Sequence, residues 1–170
     1  MTGKDTIKME YFDNCCLNDL EELQRISRTA YLEAFYDLLN NDDVKEYVKS
    51  KYCLDNLKKE FEDISNHFMF FYIDDKVVGY MKYILKPSFL EIDRLYMLKS
   101  FKGKGIGTKF VNKAEDIAKL NEKKALALGV LEMNKPAISF YEKKGFTQYF
   151  SEMVTIGKNE YHLLLMKREL

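Results

Sequence analysis

The sequence contains no apolar stretch long enough to cross a membrane. Its longest apolar runs, residues 68–73 and 163–166, are far shorter than the roughly 20 residues that a membrane-spanning helix requires. The N-terminus also lacks the continuous apolar region of a signal peptide, because polar and apolar residues alternate from Ile7 to Phe12. We therefore expect a cytoplasmic protein with no membrane partner.

Cysteine and histidine are scarce as well. The 3 cysteines include the adjacent pair Cys15 and Cys16, and their spacing does not match that of metal ligands. The 2 histidines, His67 and His162, lie in apolar runs typical of strands, where a packed or edge histidine is more common than a ligand. These residues predict reduced thiols and no metal site.

Positive charge is not in excess, since 27 basic residues balance 27 acidic ones. A zero net charge provides no broad field for nucleic-acid phosphates, and we expect no nucleic-acid partner. The distribution is uneven: residues 10–75 carry 16 acidic and 7 basic side chains, whereas residues 76–170 carry 10 acidic and 18 basic ones. Either solvated helix faces differ in sign, or the protein has one site for a cation and another for an anion.

A chain of 170 residues, 46% of them apolar, has the length and composition of one globular domain. Apolar periodicity predicts the element order β-α-α-β-β-β-α-β-α-β-β, with helices on the faces of one mixed sheet. The predicted strands are residues 7–11, 68–73, 77–85, 90–98, 125–131, 146–154 and 160–167. The predicted helices run from Asn18 to Leu38, in shorter pieces within residues 42–61 that break near Tyr52 and Cys53, from Ile106, and from Asn134 to Gly145.

The segment from Leu90 to Phe110, LEIDRLYMLKSFKGKGIGTKF, predicts a strand, a Gly-rich turn and the start of a helix. Such a turn directs several backbone N–H groups at one point, and the positive end of the helix dipole adds to their attraction for a phosphate. Its glycines let the backbone approach an anion without side-chain collision, and lysines surround them: Gly103, Gly105, Gly107, Lys102, Lys104 and Lys109. An NTPase loop of the form G-x-x-x-x-G-K-[ST] is excluded because Thr108 follows Gly107, and the turn lies too late in the chain for a typical dinucleotide fingerprint.

Two motifs resemble those of the GNAT acetyltransferases. The sequence from Lys102 to Gly107, KGKGIG, resembles their Q/R-x-x-G-x-G/A loop, with Lys in the first position. The sequence from Asn134 to Phe146, NKPAISFYEKKGF, resembles their second signature, N-x-x-A-x-x-F-Y-x-x-x-G-F. The resemblance covers nearly all of residues 1–170 as one domain. It implies an α/β (α+β) GNAT fold, with a central mixed, mostly antiparallel, twisted sheet of about seven strands and helices on both faces.

The resemblance implies acetyl-CoA as co-substrate. The pantetheine arm would pair with the backbone of the strand at Leu95, Tyr96 and Met97 as an added strand would. The pyrophosphate would bind the loop from Lys102 to Lys109, and Asn134 and Tyr141 would face the thioester, in the gap where the fourth and fifth strands part. The implied acetyl-CoA contacts are Leu95, Tyr96, Met97, Lys102, Gly103, Lys104, Gly105, Ile106, Gly107, Thr108, Lys109, Asn134, Ala137, Tyr141 and Lys143.

An amine acceptor has to lose a proton before it can attack. With a pKa near 10.4, its neutral form costs about 4 to 5 kcal/mol at pH 7. Glu91 and Asp93 alternate with Ile92 and are expected to project from one strand face, and we predict Asp93 as the base, acting through a water. The resemblance implies that Tyr141 donates its phenolic proton to the departing CoA thiolate.

The segments ISRTAYLEAFYDL and LEIDRLYML resemble those of bacterial spermidine/spermine acetyltransferases. Their acidic residues Glu33 and Asp37 would lie one helical turn apart and hold a polycation. The aromatic residues expected beside the methylene chain are Tyr31, Phe35 and Tyr36. Other acceptors remain open within this fold, namely a protein N-terminus, a lysine or an aminoglycoside, as does a CoA-binding regulatory protein without turnover. A homodimer is also compatible with the sequence.

Overall fold

The computed structural model of this chain describes residues 8–170, so the predicted strand residue Ile7 lies outside the described part. The strands are β1 Glu10–Asn14, β2 Asn66–Ile73, β3 Lys76–Leu85, β4 Phe89–Met97, β5 Ala125–Leu131, β6 Thr147–Ile156 and β7 Asn159–Glu169. The helices are α1 Leu20–Phe35, α2 Asn41–Lys51, α3 Leu54–Glu62, α4 Ile106–Leu120 and α5 Lys135–Lys143. Single 3₁₀ turns at Leu17–Asp19 and Lys99–Phe101 precede α1 and α4.

The strands form one seven-stranded sheet in the order β1-β2-β3-β4-β5-β7-β6. Neighbouring strands are antiparallel except β4 and β5, which are parallel. One apolar cluster joins the sheet to α4 and α5, and a second joins it to α1, α2 and α3. The predicted fold class, a mixed and mostly antiparallel sheet with helices on both faces, is confirmed, but three helices rather than the predicted two lie between β1 and β2.

The first helix differs from its prediction at both ends. The start was predicted at Asn18, but the chain first makes a 3₁₀ turn, in which the Asp19 carboxylate accepts a hydrogen bond from the Cys16 backbone N–H at 2.8 Å. The helix ends at Phe35, and the N–H of its C-cap Tyr36 donates to the Leu32 carbonyl. Asp37 therefore lies in the following turn, not on the helix.

The parallel strands β4 and β5 pair over only part of their length. Pairing runs from Phe89 with Ala125 to Ile92 with Leu128 and then stops. At this point β4 also has a bulge against β3, because Lys82 pairs with Arg94 and Tyr83 with Ile92, which leaves Asp93 as the extra residue. A bulge bends its strand and re-aims side chains, so the carboxyl-terminal halves of β4 and β5 separate.

The remaining sequence features have simple structural positions. The three cysteines Cys15, Cys16 and Cys53 are free. His67 stacks on the ring of Tyr83 with centroids 4.8 Å apart, the packed position expected for it. Within residues 8–170, no helix is long and apolar enough to cross a membrane, and no group of three or more His, Cys, Asp or Glu side chains is arranged to hold a metal ion.

Candidate active site

A cleft of about 910 Å³ opens where β4 and β5 separate. Its walls come from β4, β5, α5 and the loop before α4, and also from α1, α2 and β6. The cleft therefore passes through the sheet, with one end on the side of α4 and α5 and the other on the side of α1 and α2. The predicted site residues that line it are Tyr31, Phe35, Glu91, Asp93, Leu95, Tyr96, Met97, Lys102, Gly103, Gly105, Ile106, Gly107, Thr108, Asn134, Ala137 and Tyr141. Those that do not line it are Glu33, Tyr36, Asp37, Lys104, Lys109 and Lys143.

The loop before α4 forms an open cradle of backbone. Gly103 and Gly105 have φ angles of 77° and 79°, a left-handed conformation that strains other L-residues, and no atom lies within 4 Å of a Cβ built on either. Gly105 is also the N-cap of the 15-residue helix α4, whose first N–H groups and dipole favour an anion. Gly107 lines the cleft and has a packing role besides the predicted one, because a Cβ there would lie 3.1 Å from Cζ of Phe140. The third glycine permits close packing of α4 against α5.

Only one of the three loop lysines lines the cleft. Lys102 lies on its wall, whereas Lys104 is exposed outside it. The ammonium of Lys109 pairs with the carboxylate of Glu10 on β1. Lys143, on α5, is exposed and also outside the cleft. A group held in the cradle would thus meet one lysine on the cleft wall and further positive charge at its rim.

The edge of β4 beyond Ile92 provides unpaired backbone. Leu95, Tyr96 and Met97 line the cleft, and within residues 8–170 no strand pairs with the β5-facing side of this segment. Backbone N–H and C=O groups at such an edge need partners, and an extended amide chain can supply them. The edge, the glycine cradle and the α4 N-terminus therefore fit the amide-rich arm and pyrophosphate of CoA.

Asn134 and Ala137 close the α5 side of the cleft. Asn134 is the predicted N-cap of α5, and its Oδ1 accepts a hydrogen bond from the Ala137 backbone N–H at 3.4 Å. Pro136 lies in the first turn, and Gly145 follows the helix with a φ of 88°, as the sequence predicts. The cap fixes the direction in which α5 presents its inner face to the cleft.

Tyr141 lies on that inner face. The residue is 9% exposed, and its ring meets Phe140 and Phe146 edge-on, with centroids 5.1 and 5.6 Å away. Burial raises the pKa of Tyr141 to about 12. The phenol therefore keeps its proton at any physiological pH, which a proton donor requires.

The bulge determines how the two predicted carboxylates lie. Leu90 and Ile92 belong to the α4 side of the sheet, so Glu91 points to the α1 side, and Asp93 lies on that same side beside Lys82. The Asp93 Oδ2 atom is 2.9 Å from the Lys82 ammonium. Both carboxylates line the cleft as predicted, and both are ion-paired, since Oε2 of Glu91 lies 3.6 Å from the ammonium of Lys86.

Behind Asp93 is a nearly buried ionic cluster, which the sequence did not indicate. Glu60 on α3 lies 2.9 Å from Arg94, 3.4 Å from Lys51 and 3.5 Å from Lys82. Burial opposes ionisation of Glu60, but the hydrogen bond and charge of Arg94, together with the lysines, outweigh it and lower the pKa of Glu60. Lys82 bridges this cluster to Asp93 and so holds one carboxylate oxygen of Asp93 in a fixed position.

The predicted acceptor residues divide into two groups. Tyr31 and Phe35 are buried and line the cleft, with ring centroids 4.6 Å apart. Glu33 lies elsewhere, and its carboxylate accepts a hydrogen bond from the Lys99 backbone N–H at 2.5 Å. Asp37 and Tyr36 follow the end of α1 and are exposed. The structure does not bring Glu33 and Asp37 into the cleft.

A third carboxylate in the cleft, Glu152, was missed. It lies on β6, and its neighbours two and four residues on, Val154 and Ile156, pack in the cluster on the α1 side. Alternation along the strand therefore directs Glu152 to the same side of the sheet as Glu91 and Asp93. Its alternation with Val154 was visible in the sequence, but the position of β6 beside the cleft was not.

Comparison with known proteins identifies the family of this chain. The family model described as "Acetyltransferase (GNAT) family" matches residues 24–146. The chain belongs to the GNAT acetyltransferase family. It is accordingly an acetyl-CoA-dependent N-acetyltransferase, and its match spans the predicted loop and second signature.

Individual relatives are distant. An N-acetyltransferase encoded in the pepI 3′ region of Lactobacillus delbrueckii subsp. lactis is 29% identical over 160 residues, which cover 89% of this chain and 92% of that protein. The spermine/spermidine N(1)-acetyltransferase of Bacillus subtilis strain 168 is 27% identical over 125 residues, 66% of this chain and 79% of that protein. The crystal structure of PaiA N-acetyltransferase from Thermoplasma acidophilum, in complex with coenzyme A, has a TM-score of 0.80 at 20% identity and covers 95% of this chain and 99% of that one.

Proposed function

We propose that this acetyltransferase transfers the acetyl group of acetyl-CoA to a primary amine of a polyamine, such as spermidine or spermine, by direct attack in a ternary complex. The observation that carries the proposal is the polarity of the cleft. One end has the glycine cradle and Lys102, and the other has the carboxylates Glu91, Asp93 and Glu152. An anionic donor and a cationic acceptor would enter from opposite sides of the sheet and meet between β4 and β5.

Acetyl-CoA would supply the activated acyl group, and the chain would hold it through two features. The cradle of Gly103 and Gly105 would bind the pyrophosphate, and the free β4 edge at Leu95–Met97 would pair with the amides of the arm. A backbone N–H near Met97 would stabilise the oxyanion that develops on the thioester carbonyl. Asn134 and Tyr141 line the same stretch of the cleft, so the thioester would lie beside Tyr141.

The proton chemistry would be divided between the two sides of the cleft. Asp93, held by Lys82, would accept the ammonium proton of the acceptor through a water, and Glu91 is the second candidate for this role. Tyr141 would donate its proton to the departing thiolate, since burial maintains its phenol in the neutral form. The base and the acid would thus act on opposite faces of the reacting centre.

The acceptor proposal depends on having several carboxylates in one cleft. A polyamine carries two or more ammonium groups, and Glu152 on β6 lies across the cleft from Glu91 and Asp93 on β4. The aromatic rings of Tyr31, Phe35 and Tyr47 line the same end and would pack against methylene groups. The similarity to a Bacillus subtilis spermine/spermidine N(1)-acetyltransferase supports the same class of acceptor.

The test is CoA release from acetyl-CoA against spermidine, spermine, putrescine, lysine, an aminoglycoside and an N-terminal peptide. We expect the two longer polyamines to have the highest kcat/KM, and the KM for spermidine to increase with salt more steeply than that for a monoamine. Glu152→Gln should increase the spermidine KM. The control Glu160→Gln should not, because Glu160 lies on the same hairpin but outside the cleft.

The outcome also separates the alternatives. A preference for the peptide, lysine or aminoglycoside would retain acetyl transfer and refute the polyamine. CoA binding without turnover on any amine would favour a regulatory CoA-binding protein.

A further inference from the structure

A buried carboxylate outside the cleft connects the helical layer to the edge of the sheet. Asp43, in the first turn of α2, is 2% exposed. Its Oδ1 accepts from the Lys158 backbone N–H at 2.8 Å, and its Oδ2 accepts from Nδ2 of Asn159 at 2.5 Å and from the hydroxyl of Tyr161 at 2.7 Å. Within residues 8–170, no cation forms an ion pair with Asp43. Three neutral donors from the β6–β7 hairpin therefore satisfy its charge, and we call this group the Asp43 clamp.

The hairpin turn touches the helix directly. A Cβ on Gly157 would lie 2.5 Å from Cα of Asp43, and Gly157 has a φ of 62°, so this turn needs glycine for two reasons. The backbone N–H of Asn40, the N-cap of α2, donates to the Tyr161 hydroxyl at 3.4 Å. The start of α2 and the tip of the hairpin are thus one hydrogen-bonded unit.

This unit connects the two walls of the acidic end of the cleft. One wall contains Tyr47 from α2, which stacks on Tyr31 with centroids 4.6 Å apart. The opposite wall contains the β6 residues Glu152, Val154, Thr155 and Ile156. Because β6 is the last strand of the sheet in the described part of the chain, it has a strand neighbour there on one side only. The Asp43 clamp fixes the hairpin end of this strand relative to α2.

We infer that Asp43 is a positioning residue, which sets the width of the acceptor end of the cleft and so selects among amines. The inference rests on the proposed function, because it assigns the acceptor to this end. Loss of the clamp would let the hairpin move away from α2 and carry Glu152 with it. The cradle and the free β4 edge, which form the acetyl-CoA end of the cleft, would keep their geometry.

The decisive variant is Asp43→Asn. Its carboxamide oxygen would still accept from the Lys158 N–H, but its NH₂ group would face the NH₂ group of Asn159, and two donors cannot pair. The double variant Asp43→Asn/Asn159→Asp restores a donor opposite an acceptor. The matched control is Asp42→Asn, which changes the exposed neighbour on the same helical turn.

Steady-state kinetics with spermidine, a bulkier branched polyamine and acetyl-CoA provide the test. We expect Asp43→Asn to raise the spermidine KM roughly tenfold, because a displacement on the order of 1 Å in a positioning group has effects of this size or larger. The preference for spermidine over the branched amine should fall, while the KM for acetyl-CoA stays within about twofold. The double variant should regain most of the spermidine affinity, and Asp42→Asn should match the wild type.

Two results would overturn the inference. One is an unchanged spermidine KM in folded Asp43→Asn. The other is an equal increase in the KM for spermidine and the KM for acetyl-CoA that the double variant does not reverse. Such a result would mean that Asp43→Asn destabilises the whole protein. If Asp43→Asn does not fold, Tyr161→Phe removes a single hydrogen bond of the clamp and should shift the spermidine KM in the same direction by a smaller factor.

A wild type inactive on polyamines would instead refute the proposed function. In that case hydrogen exchange still tests the clamp itself. Asp43→Asn should accelerate exchange at residues 157–161, and unchanged exchange there would refute the clamp.

Discussion

Replacement of Tyr141 by Phe tests the chemistry with little change to the packing. The ring contacts to Phe140 and Phe146 are kept, and only the hydroxyl is lost. Burial is the sole cause of the raised pKa of Tyr141, and the hydroxyl has no hydrogen-bond partner among residues 8–170. The variant therefore leaves no buried group unsatisfied, and its free energy of unfolding should remain within about 0.5 kcal/mol of the wild type.

Turnover should respond very differently. Loss of a general acid lowers the rate roughly 10²- to 10⁴-fold. At about 1.36 kcal/mol per factor of ten, this range corresponds to about 2.7 to 5.4 kcal/mol of lost transition-state stabilisation. The affinity for acetyl-CoA should stay near that of the wild type, because the ring remains in the wall of the cleft.

The assay follows CoA thiol release under saturating substrates, with calorimetric binding of acetyl-CoA and urea unfolding measured in parallel. The control is Tyr83→Phe, since Tyr83 is 8% exposed in the same apolar cluster but does not line the cleft. With a pKa of about 12 for Tyr141, any alkaline limb of kcat below about pH 11 should persist in Tyr141→Phe. Wild-type turnover in Tyr141→Phe would refute the assignment, whereas an alkaline limb that this variant removes would contradict the raised pKa of Tyr141 but not its role as the acid.

Three further changes test the rest of the site. Gly105→Val and Gly105→Asn should both weaken CoA binding at least tenfold, because either side chain would fill the cradle. Only Gly105→Val should lower Tm, because Asn tolerates the φ of 79°. An unchanged calorimetric affinity for CoA in either variant would exclude the cradle as the binding site. Glu60→Gln should destabilise the fold by about 3 kcal/mol in urea, because it leaves Arg94 and Lys82 without their central carboxylate; a loss near zero would show that the cluster is neutral for stability. The hydrogen bonds from Asn159 and from the Lys158 backbone N–H lower the pKa of Asp43, so its contribution to stability is complete above about pH 4 and disappears as pH falls further. Urea midpoints between pH 2 and 6 should decline less in Asp43→Asn, and equal declines would contradict this.

Elements with strong local signals were predictable from the sequence. Ala125–Leu131 is continuously apolar and forms β5 with those bounds. Asn134 is the N-cap of α5, and Gly145 is the residue with positive φ that follows its end. The residue types at these two positions therefore mark both ends of the helix in the sequence. The loop from Lys102 to Gly107 leads into α4, and the positive φ angles at Gly103 and Gly105 favour the glycines that made it recognisable in the sequence.

Features that depend on distant partners were not predictable. The bulge at Asp93 exists only in the register of β4 against β3. The end of α1 at Phe35 has no glycine to mark it, and so Asp37 was assigned to the helix. Glu152 and the ionic cluster around Glu60 acquire meaning only when β6 and α3 are placed on the sheet, which no local pattern specifies.

The short pairing of β4 with β5 has a thermodynamic consequence. Within the sheet, strands β1–β4 and strands β5–β7 are joined by four residue pairs, and the remaining length of the junction is open. A ligand that pairs with this open edge connects the two halves of the sheet. It binds the native state only, because the edge exists only in the folded sheet. At 100 times its Kd, such a ligand adds about 2.7 kcal/mol to the free energy of unfolding. The melting temperature should therefore rise with the concentration of acetyl-CoA, and acetyl-CoA should slow hydrogen exchange in both halves of the sheet.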